Sequence, residues 1–242
     1  MAVSEFLENL RWTSFLLIYQ HDSDLVDLAP LIYDRRSSHY GGSQAAIKLR
    51  KLPNNNDNYE AFLRYVKNHL QQTNIVIHTN NISTLYTLLQ EAKNLNMTEP
   101  PYSYIFTNTD LPLLEGFLSN VYGVFYSNIT GLQLVKSNPI MKTTLALTLE
   151  AIWVAGMALR DLKEIKDDFQ PVAILCDAKD SWIDGPIMNN AIRQLHGRNQ
   201  LTGDIQFDER GERENIIYYG IGRINSQFVQ EQTGFYYIQM IF

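Results

Sequence analysis

The sequence predicts an α/β fold, a doubly wound parallel sheet in three layers, and three observations carry that reading. Between Trp12 and Val135, strand-length apolar runs alternate with stretches whose apolar residues recur every three or four positions. The first run, Phe15-Leu16-Leu17-Ile18-Tyr19, is continuously apolar, as a strand covered on both faces must be. Polar or proline-bearing turn segments separate the units, at 37–43, 53–58 and 100–101.

After the first strand, His21-Asp22-Ser23-Asp24 reads as a turn and helix start, and the helix that follows turns Leu25, Leu28, Ala29 and Ile32 inward. Pro30 lacks a backbone donor, so this helix either begins late or bends there. Ile47 and Leu49 alternate with Lys48 and Arg50, which predicts a strand with one wetter face, towards a sheet edge. Tyr59, Phe62, Leu63, Val66 and Leu70 form the buried stripe of a surface helix, with Glu60, Arg64 and Lys67 opposite. Asn74 to His78 is the third strand. Leu85, Leu88, Leu89 and Ala92 mark the next helix, which Pro100-Pro101 cannot continue, and Tyr102 to Thr107 is the fourth strand.

The second half is organised differently. Leu145, Leu149, Ile152, Trp153 and Leu159 share one broad helical face, and Pro186 to His196 predicts a shorter helix ended by Gly197. Ile205 to Phe207 and Ile216 to Tyr219 read as a hairpin turning at Asp208-Glu209-Arg210-Gly211. The chain shows no internal repeat.

With 242 residues, 45% hydrophobic, the chain can bury one large domain or two lobes. A net charge of −6 with no basic stripe argues against a nucleic-acid partner. The most apolar helical stretch, Leu145 to Leu159, is broken by Glu150 and falls short of the roughly 20 residues a bilayer core needs. No membrane-spanning segment is therefore expected, and residues 1–19 carry no export signal. Residues 1–11 read as an irregular leader.

Chemistry is sparsely encoded. The five histidines, His21, His39, His69, His78 and His196, lack the spacing of a metal site. Asp180 and Asp184 precede Gly185, but Trp182 stands where a calcium loop needs an oxygen donor. Gly220-Ile221-Gly222 lacks the third glycine of a phosphate cradle and reads as strand. Cys176 beside Asp177 is a poor thiolate nucleophile, and the pairs Asp22/Asp24 and Asp167/Asp168 read as solvated. No catalytic residue, metal site or cofactor is predicted, and the chain reads as a non-enzyme. Asn81-Ile82-Ser83, Asn96-Met97-Thr98 and Asn128-Ile129-Thr130 are N-glycosylation acceptor triplets, which makes Asn81, Asn96 and Asn128 candidate modification sites. A lone cysteine by itself suggests a reducing compartment, against the sequons.

In order along the chain, WTSFLLIY (12–19), IKLRKLP (47–53), NIVIH (74–78), YSYIFTNTDL (102–111) and NITGL (128–132) resemble the amino-terminal domain of ionotropic glutamate receptors, with the tyrosine-rich stretch closer to the kainate branch. TLALTLEAIWVAGMAL (144–159), Trp182, Gly185 and above all LTGDIQFDERGER (201–213) extend the resemblance to about Ile224. It implies a two-lobed clamshell of the periplasmic-binding-protein type: lobe two at 12–135, a partial helical lobe one at 136–200, a closing hairpin returning to lobe two at 201–225 and an atypical tail at 226–242.

The resemblance further implies an extracellular, postsynaptic module that pairs receptor subunits in a dimer of dimers and modulates a glutamate-gated cation channel. Other glutamate receptor subunits are then its partners, and no small-molecule ligand is assigned to this chain. In the family, the residue matching Cys176 pairs with a cysteine in the first half of lobe one, which is not found before Trp12; lobe one is therefore expected to be incomplete, with Leu145, Leu149 and Trp153 short of partners. A helix expected between Val135 and Thr143 is also lacking. The alternative of another class is a clamshell that binds a small molecule between its lobes, as in class C or guanylate-cyclase-type receptors.

Overall fold

The computed structural model describes residues 3, 7, 10, 12–37, 46–54, 59–114, 127–135, 141–169, 182–214, 219–224 and 227–229. They fall into two compact units, Met1–Gln133 with Tyr218–Tyr236, and Leu134–Ile217 with Tyr237–Phe242.

The first unit is built on a sheet of order β2-β1-β3-β4-β5-β8-β9. Strands β1 (Ser14–Tyr19), β2 (Ala46–Lys51), β3 (Asn74–His78), β4 (Ser103–Phe106) and β5 (Asn128–Gln133) run parallel. Strands β8 (Tyr219–Ile224) and β9 (Gln227–Val229) extend it antiparallel. The Gly220-Ile221-Gly222 run is strand, as its sequence indicates. Strand β2 is the edge that its alternating polarity predicts.

Alternate residues of each central strand supply opposite faces. Leu16, Ile18, Ile75, Ile77, Tyr104 and Phe106 pack on one side under α2 (Tyr59–Tyr65, continued by a π turn to Leu70) and α3 (Ile82–Asn94). Phe15, Leu17, Val76 and Ile105 pack on the other side under α1 (Asp24–Ser37). Two clusters on two faces of one parallel sheet are the three-layer doubly wound arrangement. The apolar periodicity identified α2 and α3 correctly because both lie half-exposed on that sheet.

Three expectations need correction. Val3 and Leu7 are helical and buried in the second cluster, so the stretch read as an irregular leader contributes two core positions. Helix α1 begins at Asp24 and continues through an exposed Pro30, so it does not begin late; Leu28 and Leu31 are its fully buried residues, with Leu25, Ala29 and Ile32 only partly covered. The segment Ile205–Phe207 does not pair with Tyr219. Ile205 closes β7 (Gly203–Ile205), which pairs with β6 (Gly197–Gln200), whereas Tyr219 pairs with Gln133 of β5. A Phe207–Arg213 bridge does surround the expected turn, whose Asp208 accepts from the Arg210 and Glu212 amides.

In the second unit, α4 (Thr143–Ile165) packs with α5 (Gly185–Arg193). The buried line of α4 is Ala146, Glu150, Ala158 and Leu162, while Leu145, Leu149, Ile152 and Leu159 are exposed. Gly197 begins β6 against the ring of Trp153: a Cβ there would stand 2.8 Å from two ring carbons.

Candidate functional site: the carboxyl edge of the parallel sheet

Strand order reverses between β1, which pairs with both β2 and β3, and its neighbours; this crossing point is where open α/β sheets bind ligands, outside the strands' carboxyl ends. In this sequence a polar residue follows each apolar run there: Gln20 after β1, Thr79 after β3, and Thr107 and Asn108 after β4. Their placement is local, since a strand leaving a packed sheet exposes backbone that polar side chains can satisfy.

These groups close on one another. Thr79, 1% exposed, shares a hydrogen bond with the Gln20 carboxamide, and its hydroxyl also accepts from the Asn81 amide. Asn108 donates from Nδ2 to the Thr79 carbonyl at 2.8 Å and accepts from the Asp110 amide. Asp24, at the start of α1, is buried and accepts from the amides of Gln20 and His21 at 3.1 and 2.7 Å; it is not a solvated partner of Asp22, which instead pairs with Lys51 at 2.7 Å. Hydrogen bonding to Asp22 raises the Lys51 ammonium above its ordinary value.

His78 lies at the end of β3 with Nδ1 2.8 Å from the Thr107 hydroxyl and Nε2 buried without a hydrogen-bond partner among the described residues. The Thr107 hydroxyl stands between His78 Nδ1 and the Ile77 carbonyl, 3.4 Å away, and the direction of the Nδ1–Oγ1 bond follows the imidazole tautomer. Burial lowers the His78 pKa, against weak opposition from Asp24 and Asp27. The edge can therefore present neutral donors and acceptors, with Lys51 as the cation that reaches it. Gln20, Thr79 and Asn108 were not among the residues singled out from sequence; the available signal was a Gln, Thr or Asn at the end of each strand.

Two of the motif segments that carry the resemblance meet inside this unit. Leu111, which ends YSYIFTNTDL, lies over Gly131 of NITGL, where an added Cβ would come within 2.3 Å of the leucine side chain. The third motif has its own logic in the second unit. Glu150 of α4, 4% exposed, accepts from the Thr202 amide at 2.7 Å, the Thr202 hydroxyl at 2.5 Å and Arg213 at 2.9 Å. Gly203 takes the positive φ of +103° that the β6–β7 turn needs, and Gly211 takes +83° in the next turn. Thus Thr202, Gly203, Asp208, Gly211 and Arg213 of LTGDIQFDERGER each have an assigned structural task. From sequence, Glu150 reads only as an interruption of an apolar stretch.

Of the candidate modification sites, Asn81, Asn96 and Asn128 are all exposed, the first at the carboxyl edge and the other two at the amino edge of the sheet. Cys176, His39 and Asp180 lie outside the described residues. Asp184 is buried and paired with Lys166 at 2.9 Å, and Asp167 and Asp168 are exposed. Among the described residues, no three His, Cys, Asp or Glu side chains gather as a metal site, and no helix is long and apolar enough to cross a membrane.

A family model described as the receptor family ligand binding region matches residues 1–224. No curated protein matches the chain in sequence.

Proposed function

We propose, from the premise that this chain belongs to the receptor family of ligand-binding regions, that it is part of the extracellular amino-terminal domain of a kainate-like ionotropic glutamate receptor subunit. Its work there is to pair subunits within a dimer of dimers and so to modulate a glutamate-gated cation channel, on the postsynaptic face of the plasma membrane. The clamshell and its lobe boundaries, 12–135, 136–200 and 201–225, belong to the same proposal.

The observation that carries the reading is the LTGDIQFDERGER segment. A shared sequence pattern gains weight when its residues are mutually dependent, and here Thr202, Gly203 and Arg213 assemble around one buried carboxylate, Glu150. The carboxyl edge of the first unit adds support. An amino-acid ligand needs a cation for its carboxylate and a carboxylate for its ammonium, whereas Lys51 and Asp22 pair with each other and Asp24 is spent on backbone amides.

The second reading, a small-molecule clamshell of a class C or guanylate-cyclase-type receptor, draws on the same family membership and on the polar edge at the strand crossing point. Sequencing the transcript across both ends of this reading frame separates the two. The first reading expects an agonist-binding segment interrupted by pore helices downstream. A seven-helix segment, or a single span followed by a cyclase, would overturn it in favour of the second.

A further inference from the structure

The three acceptor asparagines are not equivalent in the folded chain. Asn81 is the N-cap of α3: its Oδ1 accepts from the amides of Ser83 at 2.9 Å and Thr84 at 3.4 Å. That cap uses only Oδ1, which a glycosylated asparagine keeps, so the cap by itself does not decide whether Asn81 is modified. The residue also stands at the carboxyl edge, next to Thr79, where a glycan would cover the face on which this fold class receives ligands.

Asn96 sits at the other end of the same helix, but there the backbone does the capping. With φ at +54°, Asn96 donates its amide to the Lys93 carbonyl and Met97 donates to Ala92, the paired bonds of a left-handed helix stop, and Met97 is buried beneath. The Asn96 carboxamide is exposed and makes no hydrogen bond among the described residues. Asn128 is the first residue of β5, exposed, and likewise without a hydrogen bond from its carboxamide among the described residues. Asparagine is a poor strand former, and nothing in the sheet requires one at that position.

Asn96 and Asn128 are neighbours. The Thr98 carbonyl accepts from the Ser127 amide at 2.8 Å, so the two acceptor triplets are tied together at the amino edge, opposite the polar cluster. Both are Asn-x-Thr triplets, whereas Asn81 heads an Asn-x-Ser triplet.

We propose that Asn96 and Asn128 carry adjacent N-linked glycans that cover the amino edge of the sheet, and that Asn81, whose triplet ends in Ser and which stands at the opposite edge beside Thr79, does not. This inference rests on the extracellular reading above, because the transfer takes place on the export route. In each transfer the carboxamide nitrogen bonds to C1 of the first sugar of a lipid-pyrophosphate-linked oligosaccharide, the C1–O bond to phosphate breaks, the lipid pyrophosphate leaves and the nitrogen gives up one proton. Each Asn keeps its carboxamide oxygen and one N–H. The consequence is directional: the amino edge faces solvent in any assembly, and partners dock elsewhere on this unit.

The test has two arms. In the first, the full 242-residue chain is translated behind a cleavable export signal in the presence of microsomes, denatured, and deglycosylated by amidase in ¹⁸O water. Expected are mass-tagged Asn-to-Asp conversions at 96 and 128, none at 81, and a two-step mobility shift that falls to one step in Asn96→Gln or Asn128→Gln and is unchanged in Asn81→Gln. Because the readout is taken on denatured protein, a variant that misfolds still reports. A tag at 81, or the absence of one at 96 or 128, overturns the assignment. In the second arm the same masses are read on protein from its native source: tags at 96 and 128 support the assignment on the export route, whereas unmodified asparagines there, with both tags present in the first arm, overturn the extracellular reading and leave the acceptor assignment standing.

Discussion

In the first unit, stability is spread over two apolar clusters to which β1, β3 and β4 each contribute on both faces, while among the described residues of the second a single buried carboxylate ties α4 to the segment after β6. Phe15, Leu16, Leu17 and Ile18 are all fully buried, so the loss of any one leaves the others in place. Helix α4 buries small residues, Ala146 and Ala158, around Glu150 and turns Leu145, Leu149 and Ile152 outward. Distributed apolar burial degrades gradually, whereas a buried charge with three donors fails as a unit once its partner is gone.

The strongest way to break this comparison is Glu150→Ala. It strands the Arg213 guanidinium, only 14% exposed, and the Thr202 amide, and removing one partner of such a pair costs roughly 3–5 kcal/mol. Hydrogen exchange should show residues 197–213 losing protection while β1 and β3 keep theirs. A loss under about 1 kcal/mol would mean that the helix contacts hold the segment without the carboxylate.

Next in size is Gly131→Ala, which places a methyl where the Leu111 side chain lies. Overpacking of this kind costs about 1–3 kcal/mol, and in a unit of distributed burial the damage should stay within β5 and residues 111–114. Shortening the obstruction sharpens the test: Leu111→Ala should cost less in the Gly131→Ala background than in the wild type, and additive losses would show that the two residues do not share that space. Asn81→Ala comes third, at about 1 kcal/mol from loss of the α3 cap, read as a lower unfolding midpoint in denaturant.

The same contrast decides what could be read from the sequence. The parallel sheet was legible because its strands are apolar throughout and its helices keep a 3.6-residue period, so β3 was placed at residues 74–78 and α2 and α3 were found from their stripes. Pro30 misled about where the helix starts: it begins at Asp24 and takes the proline in its interior, at an exposed position. The Ile205 pairing was missed because Gly197 reads by local pattern as the stop of the preceding helix, whereas it opens β6 beside the Trp153 ring and pairs with Ile205. Glu150 was illegible as a clamp: its partners lie 52 and 63 residues away, and no local period announces them. The polar edge was missed for a related reason. A single Gln, Thr or Asn after a strand reads as a turn residue until the strand order brings Gln20, Thr79 and Asn108 together.

The smallest expected effect concerns that edge and sharpens the comparison by pH. Burial favours the neutral His78 imidazole in the folded chain, because the charged ring would lose its hydration. The unfolded chain takes up that proton near pH 6.5, so the contribution of the neutral ring is fully present above about pH 6.5 and is lost as pH falls below it. Denaturant unfolding between pH 7.5 and 5.5 should therefore show a first unit that weakens on acidification, and His78→Gln, which keeps a polar side chain but cannot titrate, should flatten that slope. Exchange measured over β3 and residues 107–110 localises the change, since Thr107 is the partner that the ring would pull on. An unaltered slope in the variant would assign the acid response to other groups and leave His78 as a packed, neutral strand end.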